Sequence, residues 1–302
     1  MEHIHFIVNP VAGYGKNPIT EALLKTYFEE ESYTIKVKYS TFKKQAIILT
    51  RESITEGASI IVACGGDGTI NEVASCLVRT PIILGIIPIG SGNGLASNLQ
   101  IPLNVEKAIA IIKNKKKTCI DVGSINDRYF FSNTGIGFAA SVIKNYEKRR
   151  THTLWGYIAA TFKSFKEFKD IEKSEVSIDK SHIMDNPFMI FISNSNELGY
   201  KVSLTPKASL QDGYLDVVII PKIGRLKIVF LILLMLFKKQ HILKEVKTFQ
   251  TKKLQLDKNK GGNFEPQIDG DVQVLEEKSL TIALEERALN VFVTQPGAMA
   301  VG

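Results

Sequence analysis

Residues whose types and spacing could do chemistry gather first at Gly65-Gly66-Asp67-Gly68-Thr69, directly after an apolar run at 60–64. Two glycines before the aspartate and one after it free the backbone to turn sharply and to approach a ligand without Cβ atoms in the way. Thr69 is placed to cap a following helix, whose first-turn N–H groups and positive dipole end form an anion site. Phosphate suits that place. A carboxylate within it calls either for a bridging cation such as Mg2+ or for a positioning role for Asp67. Alone, the run reads equally well as a tight strand–helix turn. It has company, because Asn9-Pro10-Val11-Ala12-Gly13-Tyr14-Gly15-Lys16 follows one more strand-like run and Pro88-Ile89-Gly90-Ser91-Gly92-Asn93-Gly94 follows a third. The first of these is not a Walker A loop: Pro10 stands where the first glycine belongs, and Asn17 where a Ser or Thr would hold magnesium. It also lacks GxGxxG, the dinucleotide fingerprint.

Three such loops need a sheet to hold them. Residues 4–8, 34–39, 60–64 and 82–87 read as strands, with helices over 18–31, 43–57 and 69–79 between them. Apolar strands separated by helices predict a parallel sheet covered on both faces, whose carboxyl edge gathers the loops. After Asn114-Lys115-Lys116-Lys117 the pattern changes to short β-like runs at 118–122, 129–133, 175–178, 188–193, 214–220, 244–256, 272–274, 280–284 and 289–294. One long helical region over about 139–170 interrupts them. A second, β-rich domain therefore starts near residue 120.

A chain of 302 residues can bury a proper core as one large domain or two of ordinary size. Its net charge of +7 asks for an anionic partner, and nucleic acid, anionic lipid and nucleotide phosphates all answer. Cys64, Cys76 and Cys119 lie in or beside apolar runs without CxxC spacing, which reads as buried reduced thiols and a cytoplasmic home. Met1-Glu2-His3 leads straight into a strand-like run, unlike a signal peptide. Residues 228–237, IVFLILLMLF, are apolar and flanked by Lys222, Arg225, Lys227, Lys238, Lys239 and Lys244. A spanning helix needs about 20 apolar residues, so this stretch is either a core helix or an element that dips into a lipid interface.

NPVAGYGK, GGDGTINEV and PIGSGNGLASNLQIP, in this order and spacing, resemble the diacylglycerol kinase catalytic domain family of lipid kinases. That family is related to sphingosine and ceramide kinases and, distantly, to NAD kinases. The resemblance runs on through Ile120-Asp121-Val122-Gly123, Ser132 to Gly137, Asp212 to Val217 and Asp269-Gly270-Asp271, nearly the whole chain. It implies an α/β N-terminal domain over 1–119 (parallel sheet), a C-terminal β-sandwich domain over 120–290, and a segment 291–302 returning to the first domain, with ATP between the two domains.

Residue by residue, the resemblance implies that Asn9 and Gly65, Gly66, Asp67, Gly68, Thr69 and Asn71 serve ATP. Ser40, with Thr41 its rival, and Ser91 supply hydroxyls near the nucleotide, and Lys16 reads either as a phosphate contact or as a solvated loop lysine. A structural Mg2+ maps to the Asp212 carboxylate and the carbonyls of Ser209 and Tyr214, with Asp121 linking its water network. The general base, a glutamate in the family, maps to Asp271, one methylene shorter; Asp269 competes for the role or shapes the turn. Asp67 joins Asp271 as the catalytic pair.

The implied activity is ATP- and Mg2+-dependent phosphorylation of a lipid hydroxyl, diacylglycerol first, by a peripheral protein at an anionic inner-membrane face. A homodimer is compatible with this, and nucleic acid is not a partner. The GSGNGLA wording keeps a sphingoid base or a ceramide-type lipid open as the acceptor. An NAD kinase, or a non-catalytic nucleotide- or lipid-binding regulator, are the further alternatives; the DGD departure motivates the last.

Overall fold

The computed structural model describes residues 1–15, 17–29, 32–90, 92–149, 153–167, 175–178, 182–185, 187–196, 203–236, 239, 242–260 and 262–294. The chain forms two compact units, one of Met1–Val122 joined by the chain from Glu286, the other of Gly123–Glu285.

The first unit alternates β1 (Glu2–Val8), α1 (Ala12–Gly15), α2 (Glu21–Tyr27), β2 (Tyr33–Tyr39), α3 (Gln45–Thr55), β3 (Ile60–Gly65), α4 (Asp67–Leu77), β4 (Ile83–Pro88), α5 (Gly94–Asn98) and α6 (Val105–Lys113). Its sheet has the order β2-β1-β3-β4 and is parallel throughout. β3 is buried along its whole length, as a strand covered on both faces must be. α2 is shorter than the apolar spacing over 18–31 suggests. The Thr20 hydroxyl accepts the Leu23 N–H and starts the helix late, and the chain is extended again at Phe28.

The chain leaves this unit on β5 (Lys117–Ile125) and continues through β6 (Arg128–Phe130), β7 (Asn133–Gly137), α7 (Phe138–Glu147), α8 (Leu154–Glu167), β8 (Glu175–Ile178), β9 (His182–Asp185), β10 (Met189–Ser193), β11 (Leu215–Ile220), α9 (Arg225–Leu236), β12 (Lys247–Thr251), β13 (Lys253–Lys260), β14 (Gln267–Ile268) and β15 (Asp271–Val272). It returns on β16 (Ser279–Phe292), whose last residues pair in parallel with β4, Val291 opposite Leu84. One antiparallel sheet of the second unit runs β12-β11-β10-β7-β14-β15. The other is built from β9, β8, β13 and the opening of β16.

Between these two sheets lies a sandwich core that includes Phe130, Ile190, Ile192, Val217, Ile219, Leu254, Leu256 and Ile282. The opposite face of β10 and β11, carrying Met189, Phe191, Val218 and Ile220, packs against α7 and α9 in a second apolar cluster. Both faces of these strands are therefore covered. That is why they read as unbroken apolar runs although their sheet is antiparallel.

Four expectations are corrected in this unit. The helical region over 139–170 is two helices, the second started by the Thr153 hydroxyl accepting the Gly156 N–H at 3.2 Å; residues 168–170 lie outside the described residues. Runs 280–284 and 289–294 are one strand, bent where Arg287 takes φ 49°. Run 244–256 is two strands, β12 and β13. Run 129–133 is also two, β6 and β7, interrupted where the amides of Phe131 and Ser132 bond a carboxylate instead of a neighbouring strand.

Candidate active site

In the first unit, β1, β3 and β4 run in the same direction with Val8 opposite Cys64 and Gly65 opposite Pro88. The three loops therefore leave the sheet at one edge. Main-chain bonds stitch them: the Asn9 N–H donates to the Cys64 carbonyl at 3.0 Å, and the Ile89 N–H to the Gly65 carbonyl at 2.8 Å. Asn17 Nδ2 donates to the carbonyls of Asn9 (2.8 Å) and Cys64 (3.4 Å), so the residue found where a Walker loop holds magnesium braces the loop instead. Asn9 Nδ2 donates to Thr69 Oγ1 at 3.2 Å. Thr69 is thus not the helix cap; Gly66 takes that position, and the threonine hydroxyl ties the first loop to the second.

Asp67 opens α4 and reaches across to the third loop. Its Oδ2 accepts the Asn93 N–H at 2.7 Å and its Oδ1 the Gly94 N–H at 2.6 Å. Of the two roles left to this carboxylate, the contacts supply the positioning one. Burial pushes its pKa above the usual carboxylate value, while the Gly94 and Asn93 amides pull the other way. The approach of the loops depends on missing side chains: a Cβ at Gly90 would lie 2.6 Å from the Gly66 Cα. Gly68 is the opposite case. A Cβ there meets nothing within 4 Å, so the loop presents an open face beside the start of α4. The amides of Gly68 and Thr69, in the first turn of that helix, have no carbonyl within it to bond, while the Asp67 amide turns to its own carboxylate. Bare amides, an open face and a helix N-terminus together form a cradle for phosphate oxygens.

Ser40 sits at the same edge, buried, its N–H bonded to the Val8 carbonyl at 2.9 Å and its hydroxyl 3.4 Å from the same oxygen. Thr41 is exposed and gives both its N–H (2.6 Å) and its hydroxyl (3.0 Å) to Gln45 Oε1 at the start of α3, so Ser40 is the better placed of the two. Asn71 lies one turn into α4, where its Oδ1 accepts the Ser75 hydroxyl at 3.3 Å. Ser91 and Lys16 lie outside the described residues. The cysteines are free; Cys64 is buried as expected, whereas Cys76 and Cys119 are only half-buried, and burial pushes all three thiols up.

In the second unit, Asp269 and Gly270 form the two-residue turn of the β14–β15 hairpin, with φ 46° and 86°, the left-handed pair that a tight hairpin demands. The Asp269 carboxylate accepts the amides of Phe131 (2.7 Å), Ser132 (2.8 Å) and Asn133 (3.0 Å). It shapes the turn and holds the β6–β7 junction. Gln267 supports both sides, accepting the Gly270 N–H at 2.9 Å and donating to Asn133 Oδ1 at 2.7 Å. Asp271 opens β15, half-exposed. The next residue, Val272, donates its N–H at 3.2 Å to Glu147 Oε1, at the end of α7. No motif announced that second carboxylate; only the helix end places it.

Asp212 and Tyr214 share a turn in which Asp212 Oδ1 accepts the Tyr214 N–H at 3.1 Å, and the Ser209 hydroxyl accepts the Gln211 N–H at 3.3 Å just before it. Asp216, passed over in the sequence although it stands in the same motif, adds a carboxylate: Gln250 Nε2 lies 3.3 Å from Asp212 Oδ2 and 3.3 Å from Asp216 Oδ2. Burial raises the Asp216 carboxyl, Gln250 lowers it, and the Asp212 charge raises it further. Among the described residues no three His, Cys, Asp or Glu side chains cluster as a metal site. Asp212 and Asp216, which share the Gln250 amide, nevertheless present hard oxygen donors of the kind a partly hydrated divalent cation takes. Asp121 belongs to the first unit, where its buried Oδ1 accepts the Arg287 N–H at 2.7 Å.

Comparison with known proteins agrees along the chain. Residues 3–125 match the Diacylglycerol kinase catalytic domain, and residues 132–293 match the YegS C-terminal NAD kinase beta sandwich-like domain. A Diacylglycerol kinase of Bacillus subtilis (strain 168) is 29% identical over 229 residues, 74% of this chain and 75% of that protein. A "Probable lipid kinase YegS-like" of Pectobacterium atrosepticum is 28% identical over 210 residues, 67% of this chain and 69% of that one. A crystal structure of a diacylglycerol kinase from Bacillus anthracis str. Sterne shares the fold, with a TM-score of 0.70 at 19% identity over 97% of both chains.

Proposed function

The chain belongs to the family that joins a diacylglycerol kinase catalytic domain to a YegS C-terminal NAD kinase beta sandwich-like domain, and from that premise we propose an ATP- and Mg2+-dependent lipid kinase with diacylglycerol as acceptor. The observation that carries the reading is the stitched cradle at Gly65–Thr69, where Asp67 locks the third loop against the second and leaves an open face at Gly68.

In this reading the triphosphate lies against the first-turn amides of α4, which stabilise charge on the transferring group. The acceptor hydroxyl gives its proton to Asp271 as its oxygen bonds the γ-phosphorus; the bond from that phosphorus to the β,γ-bridging oxygen breaks and ADP leaves. Magnesium bound with the nucleotide would supply neutralising charge, and Asp212, Asp216 and the carbonyls of Ser209 and Tyr214 would hold a separate structural ion. A bilayer-borne acceptor puts the protein at the cytoplasmic face of a membrane as a peripheral enzyme. No helix among the described residues is long and apolar enough to cross one.

The test is label transfer from γ-labelled ATP with Mg2+ to diacylglycerol, a sphingoid base, a ceramide and NAD, each offered separately. Label in an organic-extractable diacylglycerol product is expected. Label in the sphingoid or ceramide product replaces the acceptor, label in NADP replaces the reaction, and label in none leaves a binding protein.

A further inference from the structure

Among its described side chains, α9 has an apolar face packed inward and an apolar face exposed. Ile228, Leu231 and Leu234 pack inward against β10, β11 and α7. Leu226, Val229 and Phe230, at the i, i+3, i+4 spacing of a single outward stripe, are 88%, 45% and 48% exposed. Beyond Lys227 the helix is apolar in sequence, and such a helix belongs in a core or in contact with lipid; this one has one face in a core. At 12 residues it is about 18 Å long and cannot span a bilayer.

Among the described residues around the stripe, basic side chains predominate. Lys222 and Lys227, together with Leu226, Ile223, Gly224 and Glu245, line a shallow groove of about 430 Å3 at the start of the helix. Lys239, Lys244 and Lys247 are exposed on the chain that follows it. Glu245 is the one acid among these residues, and Lys227 pairs with it. A second copy docking on the same face would bring like charges together, since a two-fold contact sets each patch on itself.

We propose that the outer face of α9 is a membrane-docking surface: Leu226, Val229 and Phe230 enter the headgroup–acyl boundary of an anionic leaflet while the flanking lysines meet lipid phosphates. The helix lies in the plane of the interface, its inner face still holding the second unit together. This surface recognises the bilayer, not the acceptor, and does not depend on the reaction.

The experiment is co-sedimentation of the full chain, without ATP, with vesicles of phosphatidylcholine alone or mixed with phosphatidylglycerol. Wild type binds the anionic vesicles and releases them at high salt. Leu226→Ser with Phe230→Ser lowers binding on the order of tenfold or more, and Lys222→Gln with Lys244→Gln lowers it at least about fivefold. All four changes are at exposed positions, so thermal unfolding stays at the wild-type temperature. Turnover of a short-chain diacylglycerol dissolved as monomers stays at the wild-type rate in every variant, whereas turnover of vesicle-borne substrate falls with binding. If wild type ignores phosphatidylglycerol, if the serine variant binds like wild type, or if that variant instead dissolves a concentration-dependent dimer, the docking surface is refuted. Absence of turnover on monomeric diacylglycerol refutes that lipid as the acceptor and leaves the docking surface standing.

Discussion

Two aspartates, one in each unit, do the same mechanical work in different surroundings. Asp67 takes the amides of Asn93 and Gly94, and Asp269 takes those of Phe131, Ser132 and Asn133. Each latches a distant loop through main-chain donors that any residue could supply. The difference lies in what each latch exposes. Around Asp67 the neighbours are glycines, and the product is a bare surface of amides suited to phosphate. Asp269 instead turns the chain tightly and delivers a side chain, Asp271, two residues on. One unit offers backbone, and in the proposed reading the other offers a base. Reading either aspartate as a catalytic group from its glycine neighbours alone would confuse the latch with what it presents.

The sharpest test of this division is Asp271→Asn. Turnover should fall by at least about a hundredfold, as loss of a general base does, while ATP binding by calorimetry is unchanged. Retained turnover would move the base to another carboxylate, with Glu147 the first to examine. Next in size are the latches themselves. Asp269→Ala strands three amides and should cost about 3 kcal/mol in urea unfolding, and Asp67→Ala strands two and should cost about 2 kcal/mol. A wild-type unfolding midpoint in Asp67→Ala, with magnesium dependence lost, would make Asp67 a cation manager and end the parallel. The smallest effect separates two glycines of one cradle. Gly90→Ala forces a Cβ against the Gly66 backbone and should lower both stability and nucleotide affinity. Gly68→Ala meets only open space, so it should fold as wild type and weaken ATP binding about tenfold, because its methyl occupies the phosphate face. Unchanged affinity in that variant would place the phosphates elsewhere.

Legibility followed the same division. The three loops and their common edge could be read because glycine runs after apolar strands are local signals, and the parallel order β1-β3-β4 makes neighbours of them. What could not be read were the partners. Nothing near Asp67 names Asn93, which sits 26 residues on in the left-handed region, and nothing near 129–133 says that a carboxylate from residue 269 will interrupt the strand. Asp216 was in plain view inside a quoted motif, but a carboxylate's service to a second carboxylate appears only when Gln250 bridges them. The apolar stretch at 228–237 needed the fold as well. Composition left it between core and interface; the fold packs Ile228, Leu231 and Leu234 into a core and leaves Val229 and Phe230 exposed.

β16 carries a consequence for biosynthesis. Its last residues lie along β4, some two hundred positions earlier in the chain, with Val291 opposite Leu84. During translation the flank of β4 therefore waits, uncovered, while the entire second unit is made. That interval is a window for mispairing, since a waiting apolar strand edge accepts any extended segment. Closure of this long-range pairing is accordingly a late step in maturation, and the nascent chain is where a holding chaperone has most to protect.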